Sequence, residues 1–306
     1  MSVGYTTALY LLPFDHRNSY VSKMFHFEPP LTPEHRQTVA DSKRVIYDGF
    51  LQALDSAVPA EAAGILVDEE FGAEILRDAN AASHITAVSV EKSGSEEFEF
   101  EYGDGFAAHL EAVKPTFAKV LVRYNPEGDA ALNLRQAARL KRLSDYCGSV
   151  GQLFMFELLV PATPSQMKHV QNDKNAYDLE LRPALMRMAV CALQEAGVEP
   201  DIWKIEGLDR REDCAQMVQT VRRDGRLNVS CIVLGRGADE KKVMQWLQVA
   251  AKVPGFIGFA VGRTTFWDAI ADYQSKKISR PDAVTRIAQR YAEWVRVYKT
   301  AAGNKS

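Results

Sequence analysis

"QLFMFELLV", residues 152–160, is an apolar run interrupted by a single charged residue, Glu157. A strand with one face in water alternates apolar and polar residues, and this run does not. Continuous apolar character is typical of a strand in a parallel sheet that is covered on both faces by crossover helices. The stretch therefore predicts an α/β protein built on a parallel sheet.

Seven more strand-like runs of the same kind are spread along the 306 residues, at 7–14, 62–68, 85–91, 117–124, 201–207, 229–235 and 256–262. Stretches with helical periodicity alternate with them, at 33–57, 71–82, 105–113, 129–147, 178–197, 210–224, 239–252, 264–275 and 281–301. Eight strand–helix units predict an α/β fold, a single (β/α)8 TIM barrel with an extra C-terminal helix, as one domain over residues 1–306. A doubly wound open sheet is the alternative, weakened because no GxGxxG loop follows the first strand.

Signals at the ends of the predicted elements agree with this division. Pro33 and Pro281 stand at the starts of helical stretches, where proline is favoured, and Gly197 and Gly225 stand where helices are expected to stop. Residues 91–105 depart from the pattern because they alternate acidic with aromatic residues. They suit a small exposed strand, but a loop with a solvated face is the better interpretation.

The composition limits the binding partners and the cellular compartment that can be expected for this protein. The formal net charge is −3 and no Lys/Arg stripe carries interleaved aromatic residues, so nucleic acid is not an expected partner. No segment reaches the roughly 18 uninterrupted apolar residues of a membrane span, and residues 1–17 lack the basic start of a signal peptide. The four cysteines are scattered without a CxxC pair, which argues against disulfides and zinc. These features predict a cytoplasmic protein.

Ionisable side chains gather at the carboxyl ends of the predicted strands, the end of a TIM barrel that carries the chemistry. They are Asp15, His16 and Arg17 after strand 1, Lys119 in strand 4, Glu157 in strand 5 and Lys204 in strand 6. Asp68, Glu69 and Glu70 follow strand 2, but no HxH or HExxH pattern accompanies them. We therefore predict no metal site.

Lys204 lies within the apolar, β-forming run 202–205. Because side chains two residues apart share a face, Lys204 and Glu206 point together, and an inward Lys204 leaves Trp203 facing the helices. A lysine inside a barrel is costly unless it is paired or neutral. A desolvated amine beside another cation has a lowered pKa and can attack a carbonyl to form a Schiff base. A paired ion without chemistry is the alternative for Lys204 and also for Lys119.

Two Gly-Arg pairs, Gly235–Arg236 and Gly262–Arg263, follow strands 7 and 8. In TIM barrels these two loops commonly form a phosphate site from backbone N–H groups and a helix N-terminus. Glycine lets the backbone approach an anion, and arginine donates two parallel hydrogen bonds to it. The pairs predict a phosphate site, with a rim salt bridge as the alternative for each arginine.

Six short motifs in register carry a family resemblance over nearly the whole chain. They are "LPFDHR" (12–17), "ILVDEEFG" (65–72), "KVLVRYNP" (119–126), "FELLVP" (156–161), "WKIEG" (203–207) and "GFAVGRTTFWDAI" (258–270). Together they resemble the class I, Schiff-base aldolases of the tagatose-bisphosphate and sulfofructose-phosphate aldolase type. The strongest resemblance is to the aldolase-like domain fused to 5-dehydro-2-deoxygluconokinase in inositol catabolism.

The resemblance implies a role for each matching residue. Lys204 matches the lysine that forms the imine with a keto substrate, and Glu157 matches the carboxylate that moves protons around the carbinolamine. Lys119 matches a lysine near the substrate oxygens, Asp15 matches the acid of strand 1, and Arg263 matches the phosphate-binding arginine.

The chain departs from the family pattern in two places. Strand 7 ends in "LGRGAD", where the sugar-bisphosphate enzymes tend to carry a small hydroxyl-bearing residue, so Arg236 is expected to recognise a different group. Strand 1 is followed by Asp-His-Arg in place of Asp-Gln-Arg, which puts His16 and Arg17 beside the substrate. Both departures concern the identity of the substrate.

The resemblance implies a carbon–carbon lyase that cleaves a phosphorylated keto sugar or keto-sugar acid without a metal or an organic cofactor. The implied substrate is 5-dehydro-2-deoxy-D-gluconate 6-phosphate, and the products are dihydroxyacetone phosphate and malonate semialdehyde. A homo-oligomer is expected, since exposed barrel helices commonly pair. Two alternatives are a non-catalytic sugar-phosphate-binding barrel that regulates a partner enzyme and a metal-dependent aldolase or isomerase.

Overall fold

The computed structural model describes residues 3–303, in which eight parallel strands form a closed barrel in chain order. The strands are β1 Leu9–Pro13, β2 Ala63–Val67, β3 Ile85–Ser89, β4 Phe117–Arg123, β5 Leu153–Leu159, β6 Ile202–Glu206, β7 Ser230–Leu234 and β8 Phe256–Ala260. The last strand pairs with the first, with Leu11 opposite Ala260, so the sheet is closed on itself. The TIM-barrel prediction is confirmed.

The helices are α1 Asn18–Tyr20, α2 Pro33–Leu54, α3 Glu69–Ala81, α4 Phe106–Val113, α5 Ala130–Val150, α6 Pro164–His169, α7 Lys174–Ala176, α8 Arg182–Glu195, α9 Arg211–Val221, α10 Glu240–Ala250, α11 Arg263–Gln274 and α12 Arg280–Gly303. Each helical stretch predicted from periodicity overlaps one of them. The short helices α1, α6 and α7 were not predicted. The sequence does carry a signal for α6, because Thr163 and Gln166 form a capping box around its start.

Side chains alternate between the barrel interior and the surrounding helices. The interior apolar residues are Leu9, Leu11, Leu66, Ala87, Phe117, Met155, Ile202, Ile232 and Ala260. Lys204 lies two residues after Ile202 and therefore faces the same interior. Trp203 faces outward and packs on Phe156, with 4.8 Å between ring centroids. The predicted orientations of Lys204 and Trp203 are confirmed.

Two glycines let β8 and the turn after it approach β1. A Cβ atom at Gly258 would lie 1.7 Å from the carbonyl oxygen of Leu9, and one at Gly262 would lie 2.2 Å from that of Pro13. Because these neighbours are backbone atoms, no larger residue fits without moving the strands. Gly262 thereby sets the position of Arg263, the first residue of α11.

The acidic and aromatic segment 91–105 is a loop, as the sequence analysis favoured, with a single antiparallel bridge between Glu91 and Phe100. Two of its aromatic side chains are turned toward the protein. Phe98 is buried against Phe100, which in turn stacks on Phe106 of α4 at 4.3 Å. The expectation of a solvated face therefore fails for Phe98 and for Glu91, which is also buried, and holds for Tyr102, which is exposed.

The extra C-terminal helix α12 is part of that wall. The hydroxyl group of Tyr291 donates a hydrogen bond of 2.6 Å to the carbonyl oxygen of Tyr10 in β1. Trp294 Nε1 donates one of 3.0 Å to Thr265 Oγ1 in α11. Within residues 3–303, no helix combines the length and the apolar character needed to cross a membrane.

Candidate active site

Lys204 and Glu157 lie side by side in the barrel interior, because they are register partners on the neighbouring strands β6 and β5. The lysine is only 2% exposed, and its Nζ donates a hydrogen bond of 2.9 Å to Glu157 Oε2. Among residues 3–303 this carboxylate is the single ion-pair partner of Lys204. The geometry offers a direct route for a proton between the amine and the carboxylate.

Lys119, on β4, is held by three carboxylates and is fully buried. Its Nζ lies 2.8 Å from Asp15 Oδ2, 2.9 Å from Glu91 Oε1 and 2.9 Å from Glu157 Oε2. Burial disfavours the charged amine, but the three carboxylates outweigh burial and hold the pKa of Lys119 well above its ordinary value. Lys119 is therefore a fixed ammonium ion.

Glu157 connects the two lysines, since both amines contact the same oxygen, Oε2. Burial raises the pKa of Glu157, but Lys119 and Lys204 outweigh it, so the net shift is downward. The same two lysines overcome the burial of Asp15 and place its pKa well below the ordinary value. Glu91 shifts the other way, because burial outweighs Lys119 and raises its pKa. The site thus holds two firmly ionised carboxylates beside two amines.

His16 follows Asp15 at the edge of the same site. Burial lowers the pKa of His16 to about 4, and the positive charges of Arg263, Lys43 and Lys204 act in the same direction against the opposing effect of Asp15. Its buried Nδ1 has no hydrogen-bond partner among residues 3–303. At neutral pH the ring is uncharged and can give or take a hydrogen bond with a ligand.

Arg17 follows β1, as predicted, but its hydrogen-bond partners belong to the loop 91–105 of the protein itself. Its guanidinium donates a 2.5 Å bond to Glu101 Oε2 and a 2.6 Å bond to the carbonyl oxygen of Glu91. These contacts tie the segment after β1 to the loop 91–105. Its predicted contact with substrate stays a prediction.

The two predicted rim arginines differ in their partners. Arg236 forms ion pairs with Glu206 at 2.9 Å and Asp178 at 2.6 Å, so the alternative interpretation, a rim salt bridge, is what the structure shows for it. Arg263 has no carboxylate within 4.0 Å among residues 3–303, and its Nη2 donates a 3.0 Å bond to the carbonyl oxygen of Arg236. Gly235 donates its N–H to the carbonyl oxygen of Ala260 at 3.3 Å, so this N–H is not free for an anion. The predicted anion site therefore reduces to Arg263 and the backbone around Gly262.

An open cavity of about 450 Å³ lies over these residues at the carboxyl end of the barrel. It is lined by Asp15, His16, Glu157 and Lys204 from the barrel and by Arg263 at the rim. The volume suits a small organic molecule, and most of the lining side chains are charged or polar. The predicted catalytic and anion-binding residues thus face one cavity, and Lys119 lies against its Glu157 wall.

The sequence of the chain matches one protein family over almost its whole length. Residues 4–302 match the family described as an uncharacterized protein conserved in bacteria, DUF2090. The chain belongs to the DUF2090 family. No curated protein matches the DUF2090 chain significantly by sequence.

Solved structures share the fold of the DUF2090 chain at low sequence identity. A fructose-bisphosphate aldolase from Plasmodium falciparum, in complex with TRAP and a small-molecule inhibitor, is 16% identical with a TM-score of 0.67, covering 96% of this chain and 91% of its own. Cgl0159 from Corynebacterium glutamicum is 15% identical with a TM-score of 0.56, covering 96% and 88%. A fructose-bisphosphate aldolase from Slackia heliotrinireducens is 11% identical with a TM-score of 0.56, covering 93% and 86%. At these identities the likeness shows the fold alone.

Sequence reasoning missed two residues of the DUF2090 site, Ser89 and Glu91. Ser89 Oγ donates a 2.9 Å hydrogen bond to Asp15, and Glu91 is one of the three partners of Lys119. Ser89 shares the inward face of β3 with Ala87, which is in the barrel interior, so the two-residue periodicity of the strand is the signal that finds it. Glu91 follows the end of β3, where this periodicity no longer decides the direction of a side chain.

A buried ion pair behind the DUF2090 site was also missed. Lys43 of α2 pairs with Asp68 and donates a 3.0 Å bond to the carbonyl oxygen of His16. Asp68 also caps α3 through the N–H of Phe71. Asp68 therefore positions backbone, and residues 3–303 contain no cluster of three His, Cys, Asp or Glu side chains arranged for a metal ion.

The lowered pKa of His16 predicts a pH-dependent stability. Unfolded His16 takes up a proton near its ordinary pKa and folded His16 only near pH 4, so its contribution to stability is lost as pH falls between these values. Between neutral pH and pH 4 we expect wild type to lose about 1–3 kcal/mol more of its free energy of unfolding than His16→Gln loses. The expected loss is smaller than the full pKa shift would give, because the ring keeps contact with the open cavity. Urea unfolding over this pH range measures the effect.

His169→Gln is the matched control, since that side chain is exposed. Its stability difference from wild type is expected to stay constant over the same range. A His16→Gln difference that is equally flat would show that His16 titrates normally.

Proposed function

We propose that this chain is a class I aldolase that cleaves a phosphorylated keto sugar or keto-sugar acid through a Schiff base on Lys204. The main support for this proposal is the difference in ion-pair partners between the two buried lysines. Lys119 is locked as an ammonium ion by three carboxylates, whereas Lys204 faces the cavity with one carboxylate, Glu157, as its partner. The aldolase names among structures of the same fold, with the motif resemblance, support the same reaction class.

The first half of the reaction forms the imine. Lys204 passes a proton to Glu157 and attacks the substrate ketone as a neutral amine, after which the nitrogen loses a proton and the ketone oxygen gains one to give a carbinolamine. Glu157 then gives its proton to the carbinolamine hydroxyl, which leaves as water, and the nitrogen lone pair forms the C=N bond of a protonated iminium. The 2.9 Å contact between Lys204 Nζ and Glu157 Oε2 makes the first of the two transfers that involve Glu157 direct. Lys119 beside Glu157 keeps the acid strong enough to release its proton again.

The second half breaks the carbon–carbon bond. A base removes the proton of the hydroxyl group beside the scissile bond, and the bonding electrons move into the iminium to leave a neutral enamine. Asp15, Glu157 and neutral His16 face the cavity and are the candidate bases. Conversion of the iminium to the enamine removes a positive charge beside the carboxylates, which raises their proton affinity when it is needed. Lys119, already protonated, serves to stabilise the oxyanion.

Arg263 would hold the phosphate group, and its binding energy would orient the scissile bond. By the motif resemblance, we propose 5-dehydro-2-deoxy-D-gluconate 6-phosphate as the substrate and dihydroxyacetone phosphate and malonate semialdehyde as the products. No metal or organic cofactor takes part in this scheme. A homo-oligomeric state and a cytoplasmic location remain part of the proposal.

Borohydride reduction tests the imine. We expect incubation with dihydroxyacetone phosphate and borohydride, followed by peptide mass spectrometry, to place a stable adduct on Lys204 and none on Lys119. A parallel sample without the ketone controls for non-specific reduction.

Two rival functions predict other results. The ion pair between Lys204 and Glu157 also suits a non-catalytic sugar-phosphate-binding barrel. In that case no lysine is labelled, while Lys204→Ala still binds sugar phosphates. A metal-dependent aldolase or isomerase would instead lose its activity on treatment with EDTA.

A further inference from the structure

The cavity is lined by six cationic side chains, and most of them are already neutralised. The lining cations are Arg17, Lys92, Arg123, Lys204, Arg236 and Arg263. Four of these form ion pairs, namely Arg17 with Glu101, Lys92 with Glu99, Lys204 with Glu157, and Arg236 with Glu206 and Asp178. Arg123 and Arg263 have no carboxylate within 4.0 Å among residues 3–303. Their charges are therefore available to a ligand.

These two arginines lie on opposite sides of the barrel mouth. Arg123 is the last residue of β4, and Arg263 directly follows β8 as the first residue of α11. In a closed barrel of eight strands, β4 and β8 are four strands apart in either direction. Lys204, on β6, is two strands from each. The cavity thus has an unpaired cation on each side and the candidate reactive amine between them.

The surroundings of Arg123 suit the binding of a ligand and do not suit a role in stabilising the fold. It shares the inward face of β4 with Phe117 and Lys119, and its side chain is exposed at the cavity. Within residues 3–303 the side chain of Arg123 makes one hydrogen bond, and this bond is long, at 3.4 Å from Nη1 to the carbonyl oxygen of Ser95. A neutral carbonyl is easily exchanged for an anion, to which guanidinium donates two parallel, charge-assisted bonds.

The acidic loop beside Arg123 does not neutralise it. Glu97 forms ion pairs with Arg135 at 2.7 Å and Arg139 at 2.6 Å. Glu99 and Glu101 pair with Lys92 and Arg17 as described above. Glu96 also lines the cavity, but neither it nor any other carboxylate within residues 3–303 lies within 4.0 Å of the Arg123 guanidinium.

We propose that Arg123 is a specificity-determining residue that binds the second anionic group of the substrate, across the cavity from the group held by Arg263. One acidic group would lie at Arg263 and the other at Arg123, with the ketone at Lys204 between them. The inference rests on the proposed function only for the placement of the ketone. Carboxylate and phosphate satisfy a guanidinium equally, so the class is defined by two anionic ends.

Calorimetric binding of three probes to Lys204→Met and to Lys204→Met/Arg123→Gln tests the inference, because a protein without the Lys204 amine cannot form the imine and therefore cannot cleave a probe. The probes are dihydroxyacetone phosphate, with one anionic group, fructose 1,6-bisphosphate, with two phosphates, and 5-dehydro-2-deoxy-D-gluconate 6-phosphate, with a phosphate and a carboxylate. We expect Arg123→Gln to weaken at least one two-anion probe about 10- to 100-fold, the size of a lost charge-assisted pair. Binding of dihydroxyacetone phosphate is expected to change by less than about twofold.

Lys92→Gln is the matched control, because Lys92 is an exposed cation on the same rim that already has Glu99 as its partner. It is expected to leave all three affinities unchanged. If Arg123→Gln weakens only the binding of 5-dehydro-2-deoxy-D-gluconate 6-phosphate, Arg123 binds a carboxylate. If it weakens only the binding of fructose 1,6-bisphosphate, Arg123 binds a phosphate. Equal weakening of all three probes, or none, overturns the proposal. Arg123→Lys, which keeps the charge, is expected to recover part of the affinity for the two-anion probe that Arg123→Gln loses.

The proposal and the aldolase function can fail separately. Binding is measured without turnover, so a probe-dependent effect of Arg123→Gln stands even if borohydride traps no imine. Conversely, an adduct on Lys204 together with affinities that ignore Arg123 overturns the second anion site alone.

Discussion

Replacing Lys204 by methionine is expected to abolish turnover, lowering kcat by about 10⁴-fold or more, as removal of a covalent nucleophile does in other enzymes. Methionine keeps the length and bulk of the side chain but cannot form an imine. Stability is expected to fall by less than about 2 kcal/mol, because Glu157 keeps its second partner, Lys119. Steady-state cleavage assays and urea unfolding measure the two effects.

Lys92→Met is the control for the removal of a positive charge from the cavity, since Lys92 is exposed and lines the mouth. It should retain nearly full activity. Turnover by Lys204→Met at more than about a hundredth of the wild-type rate would rule out Lys204 as the nucleophile.

Replacing Lys119 by methionine is expected to cause a large loss of stability, in contrast to the replacement of Lys204. It leaves Asp15, Glu91 and Glu157 buried without their shared cation. Breaking a buried ion pair by removing one partner typically costs about 3–5 kcal/mol, because the remaining charge stays desolvated. We expect a loss of this size at neutral pH.

The pH dependence identifies the cause. In wild type the lowered pKa values of Asp15 and Glu157 contribute stability that is present above their ordinary pKa values and lost as pH falls through the lowered ones. Without Lys119, Lys204 is the one remaining lysine that opposes burial at Asp15 and Glu157, so we expect these pKa values to rise and protonation to relieve the variant. The deficit is therefore expected to shrink by roughly half near pH 5.

The double variant Lys119→Met/Glu91→Gln provides the control, because it removes one carboxylate charge together with the lysine. It should recover part of the stability at neutral pH. A deficit in Lys119→Met that is the same at both pH values, or one no larger than that of Lys204→Met, would contradict a shared carboxylate cage.

The closeness of Lys204 and Glu157 could be predicted from the sequence, because both lie at inward positions of consecutive strands. The cage of Lys119 could not be predicted in full. Asp15 and Glu91 follow their strands, so their contact with Lys119 depends on how the chain leaves β1 and β3. Periodicity describes a strand and not the backbone after it.

The partners of the arginines show the same division. Arg236 and Arg263 have the same Gly-Arg sequence context, yet Asp178 and Glu206 neutralise only Arg236. Asp178 lies in a π-helical turn, Tyr177–Leu181, just before α8, and no sequence pattern places it beside the loop after β7. Which arginine keeps a free charge is therefore visible only in three dimensions.

Local periodicity was enough to predict the barrel, the inward direction of Lys204 and the side of the barrel that carries the ionisable groups. Burial on both faces demands continuous apolar strands, and alternation along a strand fixes which side chains point inward. The three carboxylates around Lys119 and the unpaired state of Arg123 and Arg263 across the mouth are visible in the folded chain and not in the pattern of residues. Charge pairing depends on contacts within about 4 Å between residues distant in sequence, which closure of the barrel alone brings together.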